Sequence, residues 1–175
     1  GNVIGGGDWA KDRIVPDCIK AWSNKLPVSI RSSYSTRPWQ HVLEPLSGYL
    51  CLAKELDKNP AINGEPFNFG PNSNNENTVI DVVKELSKNW EGSTWQVENK
   101  INIKYKESKL LKLNCDKALH LLNWKSALNF QETIQLTIDW YNNFYNNKKI
   151  DPYEMCNEQI NKYIVKSIEV GNKWI

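Results

Sequence analysis

The chain has 175 residues, 40% of them hydrophobic and 24% charged, which suits one folded domain that needs no covalent staple. A net charge of +2 is too small to mark a nucleic-acid surface. Mean hydropathy is −0.59, and no apolar run approaches the roughly 20 residues of a spanning helix, so neither nucleic acid nor membrane is an expected partner.

Asn2 to Ile4 reads as a buried strand, and a core strand so close to the first residue suggests a chain cut inside a larger fold. It runs into the loop Gly5-Gly6-Gly7-Asp8-Trp9. Asp12 is expected to cap a helix reaching Asn24, with Pro16 near the first turn, where its missing N–H costs least. Ile14, Val15, Cys18, Ile19 and Trp22 recur at helical spacing as its buried face. Pro27 to Ile30 is a short strand, and Pro38 keeps Arg37 to Val42 extended. A helix from Glu44 to Asp57 carries an apolar stripe of Leu46, Tyr49, Leu50, Ala53 and Leu56. Pro66 to Phe69 reads as another strand.

Asn77-Thr78 opens a helix to Trp90 with Val79, Val82, Val83 and Leu86 inward. Gln96 to Lys106 alternates as one or two strands. Asp116 caps a short helix, Phe130 to Tyr145 forms a long amphipathic one, and Asp151 to Val170 a last one carrying Ile160, Tyr163, Ile164 and Ile168. Short strands alternating with helices predict an α/β or α+β fold in a single domain over residues 1–175. Cys18, Cys51, Cys115 and Cys156 form no close pair, so no metal site is expected and the thiols read as reduced, mostly buried and cytoplasmic.

Gly5-Gly6-Gly7-Asp8-Trp9-Ala10 matches the dinucleotide pattern G-x-G-x-x-A. A pyrophosphate needs close backbone approach there, a helix opening at the motif and an acidic end to the next strand. Trp9 is bulky and the next strand ends in Arg31, so the motif reads as a loop beside a ligand. Two Tyr-x-x-x-Lys matches, Tyr105 to Lys109 and Tyr145 to Lys149, fall in a predicted strand and at a fraying helix end, and both read as chance. His120 belongs to an ordinary helix, whereas His41 is either structural or functional.

Arginine occurs only at positions 13, 31 and 37 of this lysine-rich chain. Guanidinium forks bind phosphate in a bidentate way that a lysine cannot match, and Arg13 stands where a helix start already favours an anion. The same arginines could equally form surface ion pairs, such as Arg13 with Asp12 or Asp17.

Asn2 to Ala10, Asp12 to Asp17 and above all Thr36-Arg37-Pro38-Trp39-Gln40-His41-Val42 through Leu50 resemble the CDP-glucose 4,6-dehydratases. These are members of the extended short-chain dehydrogenase/reductase superfamily. Phe67 to Pro71, Leu111 to Ala118 and Leu122 to Tyr141 follow the same pattern. The resemblance implies the C-terminal, substrate-binding part of that fold, with mixed short strands and helices and most of the Rossmann half missing. It also implies a lyase that converts CDP-glucose to CDP-4-keto-6-deoxyglucose with loss of water, for the dideoxysugars of bacterial surface polysaccharide. The catalytic groups and NAD would belong to the N-terminal half, leaving this stretch inactive alone, and the full-length enzyme would be a homo-oligomer. For substrate binding the resemblance points to Asn2, Arg13, Arg37 and Asn68, and to Glu107, where Lys106-Glu107-Ser108 departs from the usual His-Glu-Ala. The alternatives are another epimerase or reductase of the superfamily, or a non-catalytic nucleotide-sugar-binding module.

Overall fold

The structure is a computed structural model that describes residues 2–72, 76–98, 109–146, 150–172 and 174. Strand β1 (Asn2–Ile4) leads through the glycine loop to helix α1 (Ile14–Ser23). Strands β2 (Val28–Ile30) and β3 (Trp39–His41) precede helix α2 (Leu43–Lys58), and a 3-10 turn follows at Pro60–Ile62. Helix α3 (Val79–Ser87), strand β4 (Trp95–Val97) and helices α4 (Asp116–Leu122), α5 (Phe130–Asn146) and α6 (Pro152–Glu169) follow. β1 pairs in parallel with β3, Asn2 opposite Trp39 and Ile4 opposite His41. β2 pairs in parallel with β4, Val28 opposite Trp95. Parallel strands need crossover connections, and the intervening helices supply them, giving the α/β fold expected from sequence. Among the described residues no helix is long and apolar enough to cross a membrane.

Two apolar clusters hold these elements. The larger joins the inner face of α1 (Val15, Cys18, Ile19, Trp22) to β2, to Val82, Val83 and Leu86 of α3, and to Ile134, Ile138 and Tyr141 of α5. The smaller packs Cys51, Ile62, Phe69, Ala118, Leu122 and Trp124 around α2 and α4. Helix α3 starts where the sequence places it: Thr78 Oγ1 accepts from the Asp81 N–H while the Asp81 carboxylate accepts from the Thr78 N–H, a capping box. Asp151, from which the last helix was expected to run, is the N-cap of α6 and accepts from the Tyr153 N–H.

Four local expectations are corrected. Asp12 does not cap α1: its φ is +61°, its carboxylate receives Arg31, and the N-cap is Arg13 without a side-chain bond. Asp116 does not cap α4 either; it is the first helical residue, and its N–H donates to Asn114 Oδ1. Pro66 to Phe69 forms no strand, because a side chain takes the place of a ladder: Gln40 Nε2 donates to the Phe69 carbonyl at 2.8 Å.

The fourth concerns α2, whose apolar stripe faces outward. Leu46, Tyr49 and Leu50 are exposed, while Glu44, Ser47 and Gly48 point in. Hydrogen bonding explains the rotation. The buried Glu44 carboxylate accepts from the Ala127 and Leu128 N–H groups, from Ser126 Oγ and from the Tyr163 hydroxyl. Ser47 Oγ receives Trp124 Nε1 at 2.9 Å, and a side chain at Gly48 would meet the Phe69 ring at 2.4 Å. The four cysteines are free; Cys18 and Cys51 are buried, Cys115 is half-buried and Cys156 exposed.

Candidate nucleotide-sugar site

A cleft of about 520 Å³ lies between β1, the start of α1, the end of β2 and the segment entering β3. Asn2, Arg13, Arg31 and Arg37 all line it, so the chain's only three arginines share one cavity, and no lysine is among its lining residues.

Each position has a local cause. The Asn2 N–H donates to the Pro38 carbonyl at 3.0 Å, which extends the β1–β3 ladder by one bond and sets Asn2 beside the entry to β3. Thr36 bridges both Thr78 and Leu110, and the Arg37 N–H donates to the Asn77 carbonyl. The Arg37 guanidinium turns back to donate from Nη1 to the Thr36 carbonyl at 2.9 Å. Trp39 Nε1, on the neighbouring strand, donates to the same Asn77 carbonyl at 3.1 Å. Arg37 is therefore held in a segment tied on three sides.

Arg13 ends the loop before α1, and its carbonyl receives the Asp17 N–H. Its guanidinium reaches Asp8 at 3.5 Å, an ion pair of the kind offered as the alternative to phosphate binding, though with a carboxylate other than Asp12 or Asp17. Burial, reinforced by the charge of Asp12, holds the Asp17 carboxyl above its usual range. A cavity with three guanidinium forks beside a helix start is suited to an anion that offers several oxygens.

The other named residues lie elsewhere. Asn68 is exposed outside the cleft and donates to the Asn114 carbonyl at 3.2 Å. Glu107 lies outside the described residues, as do Tyr105 and Lys149 of the Tyr-x-x-x-Lys matches. Tyr145 packs edge-on against Trp9, Trp90 and Phe144. Ser29, Ser32 and Trp39 line the cleft without having been singled out by sequence reasoning. Arg31 had a readable signal, being one of three arginines in a lysine-rich chain.

The glycine loop does not fit NAD. A methyl at Gly6 would sit 2.0 Å from the Trp140 side chain, so this glycine makes room for an indole rather than a pyrophosphate. Helix α1, moreover, begins only at Ile14, well beyond the motif. His41 is buried at the end of β3; its Nδ1 faces the Leu43 N–H at 3.4 Å and burial lowers its pKa to about 4, so it is neutral at physiological pH.

No protein-family model matches the chain. It is 42% identical over 142 residues to CDP-glucose 4,6-dehydratase of Salmonella typhimurium, a match that covers 81% of this chain and 39% of that protein. The resemblance read from the residues is borne out. The chain thus spans well under half the length of this curated relative. Among solved structures, UDP-glucuronic acid 4-epimerase from Bacillus cereus, in complex with a fluorinated UDP-glucuronic acid and NAD, superposes with a TM-score of 0.67. Its identity is 21%, and the match covers 82% of this chain and 44% of that one. dTDP-glucose 4,6-dehydratase from Bacillus anthracis, in complex with NAD, gives 0.56 at 16% identity over 86% of this chain and 45% of its own. The fold is that of the C-terminal part of an extended short-chain dehydrogenase/reductase.

Proposed function

We propose that the chain is the nucleotide-sugar-binding part of a CDP-glucose 4,6-dehydratase, one domain over residues 1–175. The observation that carries this reading is the convergence of Asn2, Arg13 and Arg37 on one cleft. It occurs in a chain 42% identical to such an enzyme. Arg13 and Arg37 would hold the diphosphate and Asn2 would donate to it, orienting the hexose toward catalytic groups on an N-terminal half. That half would also hold NAD, which the glycine loop here does not fit. Asn68 is proposed to lie near the nucleotide, and Glu107 to meet the ribose or base. The complete protein would work as a cytoplasmic homo-oligomer that converts CDP-glucose to CDP-4-keto-6-deoxyglucose with loss of water, for bacterial surface-polysaccharide dideoxysugars.

Titration calorimetry with CDP-glucose tests this in the full-length protein. A charge-assisted phosphate contact is worth about 1.5–3 kcal/mol, so Arg37→Ala should raise Kd about tenfold or more. An unchanged Kd would remove Arg37 from the site.

A further inference from the structure

The resemblance names two of the three cleft arginines and leaves Arg31 without a role. Arg31 immediately follows β2, and its side chain enters the cleft lining beside Ser29 and Ser32. Its Nη2 donates to Asp12 Oδ1 at 3.1 Å, across the mouth from the loop that precedes α1. Both side chains are largely exposed, at 65% and 80%.

An exposed pair of this kind contributes only about 0–1 kcal/mol, so it holds the guanidinium weakly. A diphosphate offers more charge and more acceptor oxygens than one carboxylate, and binds a guanidinium fork through two parallel bonds. Asp17 also lines the cleft, near enough to Asp12 for the two carboxylates to repel and near enough to Arg31 to attract its charge, so a phosphate entering the cleft competes with both for the guanidinium. Arg13, on the side of the mouth that carries Asp12, repeats the arrangement by resting on Asp8 at 3.5 Å.

We propose that Arg31 is a third diphosphate-binding arginine, parked on Asp12 and transferred to the phosphates when a nucleoside diphosphate enters the cleft. This rests on the nucleotide-sugar reading of the cleft and adds a residue that reading does not assign. It makes Asp12 a competitor of the ligand, and it favours the planar fork of arginine, whose two parallel N–H donors match a pair of phosphate oxygens in a fixed geometry that a lysine ammonium does not preorganise.

The test is calorimetric titration of CDP and of inorganic pyrophosphate into the full-length protein and its Arg31→Gln, Arg31→Lys, Asp12→Asn and Arg37→Ala variants. Circular dichroism and melting temperature serve as the check on folding, which substitution of two exposed side chains should leave intact. Arg31→Gln should raise Kd for both ligands by about tenfold, Arg31→Lys should recover only part of the loss, and Asp12→Asn should tighten binding about two- to threefold. Parent-like affinity in Arg31→Gln, with Arg37→Ala weakened, overturns this inference and leaves the reading of the cleft standing. A loss with CDP but not with pyrophosphate also overturns it, because Arg31 would then touch base or ribose. Weaker binding in Asp12→Asn overturns the competition. Parent-like affinity in both arginine variants, or no binding by the parent, overturns the inference and the cleft reading together.

Discussion

His41 is 1% exposed, and its Nε2 has no hydrogen-bond partner among the described residues. Nδ1 accepts from the Leu43 N–H, so the neutral ring carries its proton on Nε2 and a second proton would face that donor; charging the ring would bury a cation away from water, and burial lowers the pKa to about 4. The same ring in an unfolded chain titrates near 6.5. Between these values the unfolded chain binds a proton that the folded chain does not, so stability falls as pH drops from about 6.5 toward 4. The contribution is about 2 kcal/mol at pH 5 and approaches about 3 kcal/mol below pH 4. Glu44 acts in the opposite sense, because burial raises its pKa and the folded carboxyl binds a proton earlier on acidification. Urea denaturation at pH 7 and pH 5 should therefore show a steeper loss for the parent than for His41→Gln, by about 2 kcal/mol. Equal slopes would mean that His41 is not buried neutral.

At the scale of single elements, α2 shows how a helix can be oriented by its polar residues. Removing the fully buried Glu44 carboxylate would leave the buried Leu128 N–H and Tyr163 hydroxyl, and the half-buried Ala127 N–H and Ser126 hydroxyl, without this acceptor. Each buried donor left unsatisfied costs about 1–3 kcal/mol, so Glu44→Ala should destabilise the protein by more than about 3 kcal/mol, read from chemical denaturation. A loss under about 1 kcal/mol would show that the network does not hold α2. This network was not legible in the sequence. Its donors come from residues 126–128 and 163, more than eighty positions from Glu44, and only the fold brings them together. The apolar stripe of α2 was legible, but periodicity alone does not say which side of a helix meets the core. Helix α3, by contrast, could be read at its start and along its inner face, although it ends at Ser87 rather than at the expected Trp90. Thr78 and Asp81 stand at capping-box spacing, and Val82, Val83 and Leu86 face inward as their spacing predicts.

At the scale of the whole molecule the site follows the same division. That arginines cluster early in the chain was readable, but that Arg31 joins Arg13 and Arg37 in one cleft depends on the β1–β3 pairing and the placement of β2 beside α1. The outward side of α2 carries a further consequence. Val42, Leu46, Tyr49 and Leu50 are 36 to 57% exposed on adjacent turns, a contiguous apolar face of the kind that proteins normally cover. β1, beside it, is paired only with β3 among the described residues, which leaves a second strand edge available. The proposed N-terminal half would be the natural cover for both. The 175-residue chain produced alone should therefore bind an environment-sensitive dye such as anilinonaphthalene sulfonate, or self-associate with rising concentration. Replacing Leu46 and Leu50 together by glutamate should abolish most of that signal while leaving the helical circular dichroism unchanged, because neither side chain is buried in the core. A monodisperse monomer that binds no dye would show that this face needs no cover.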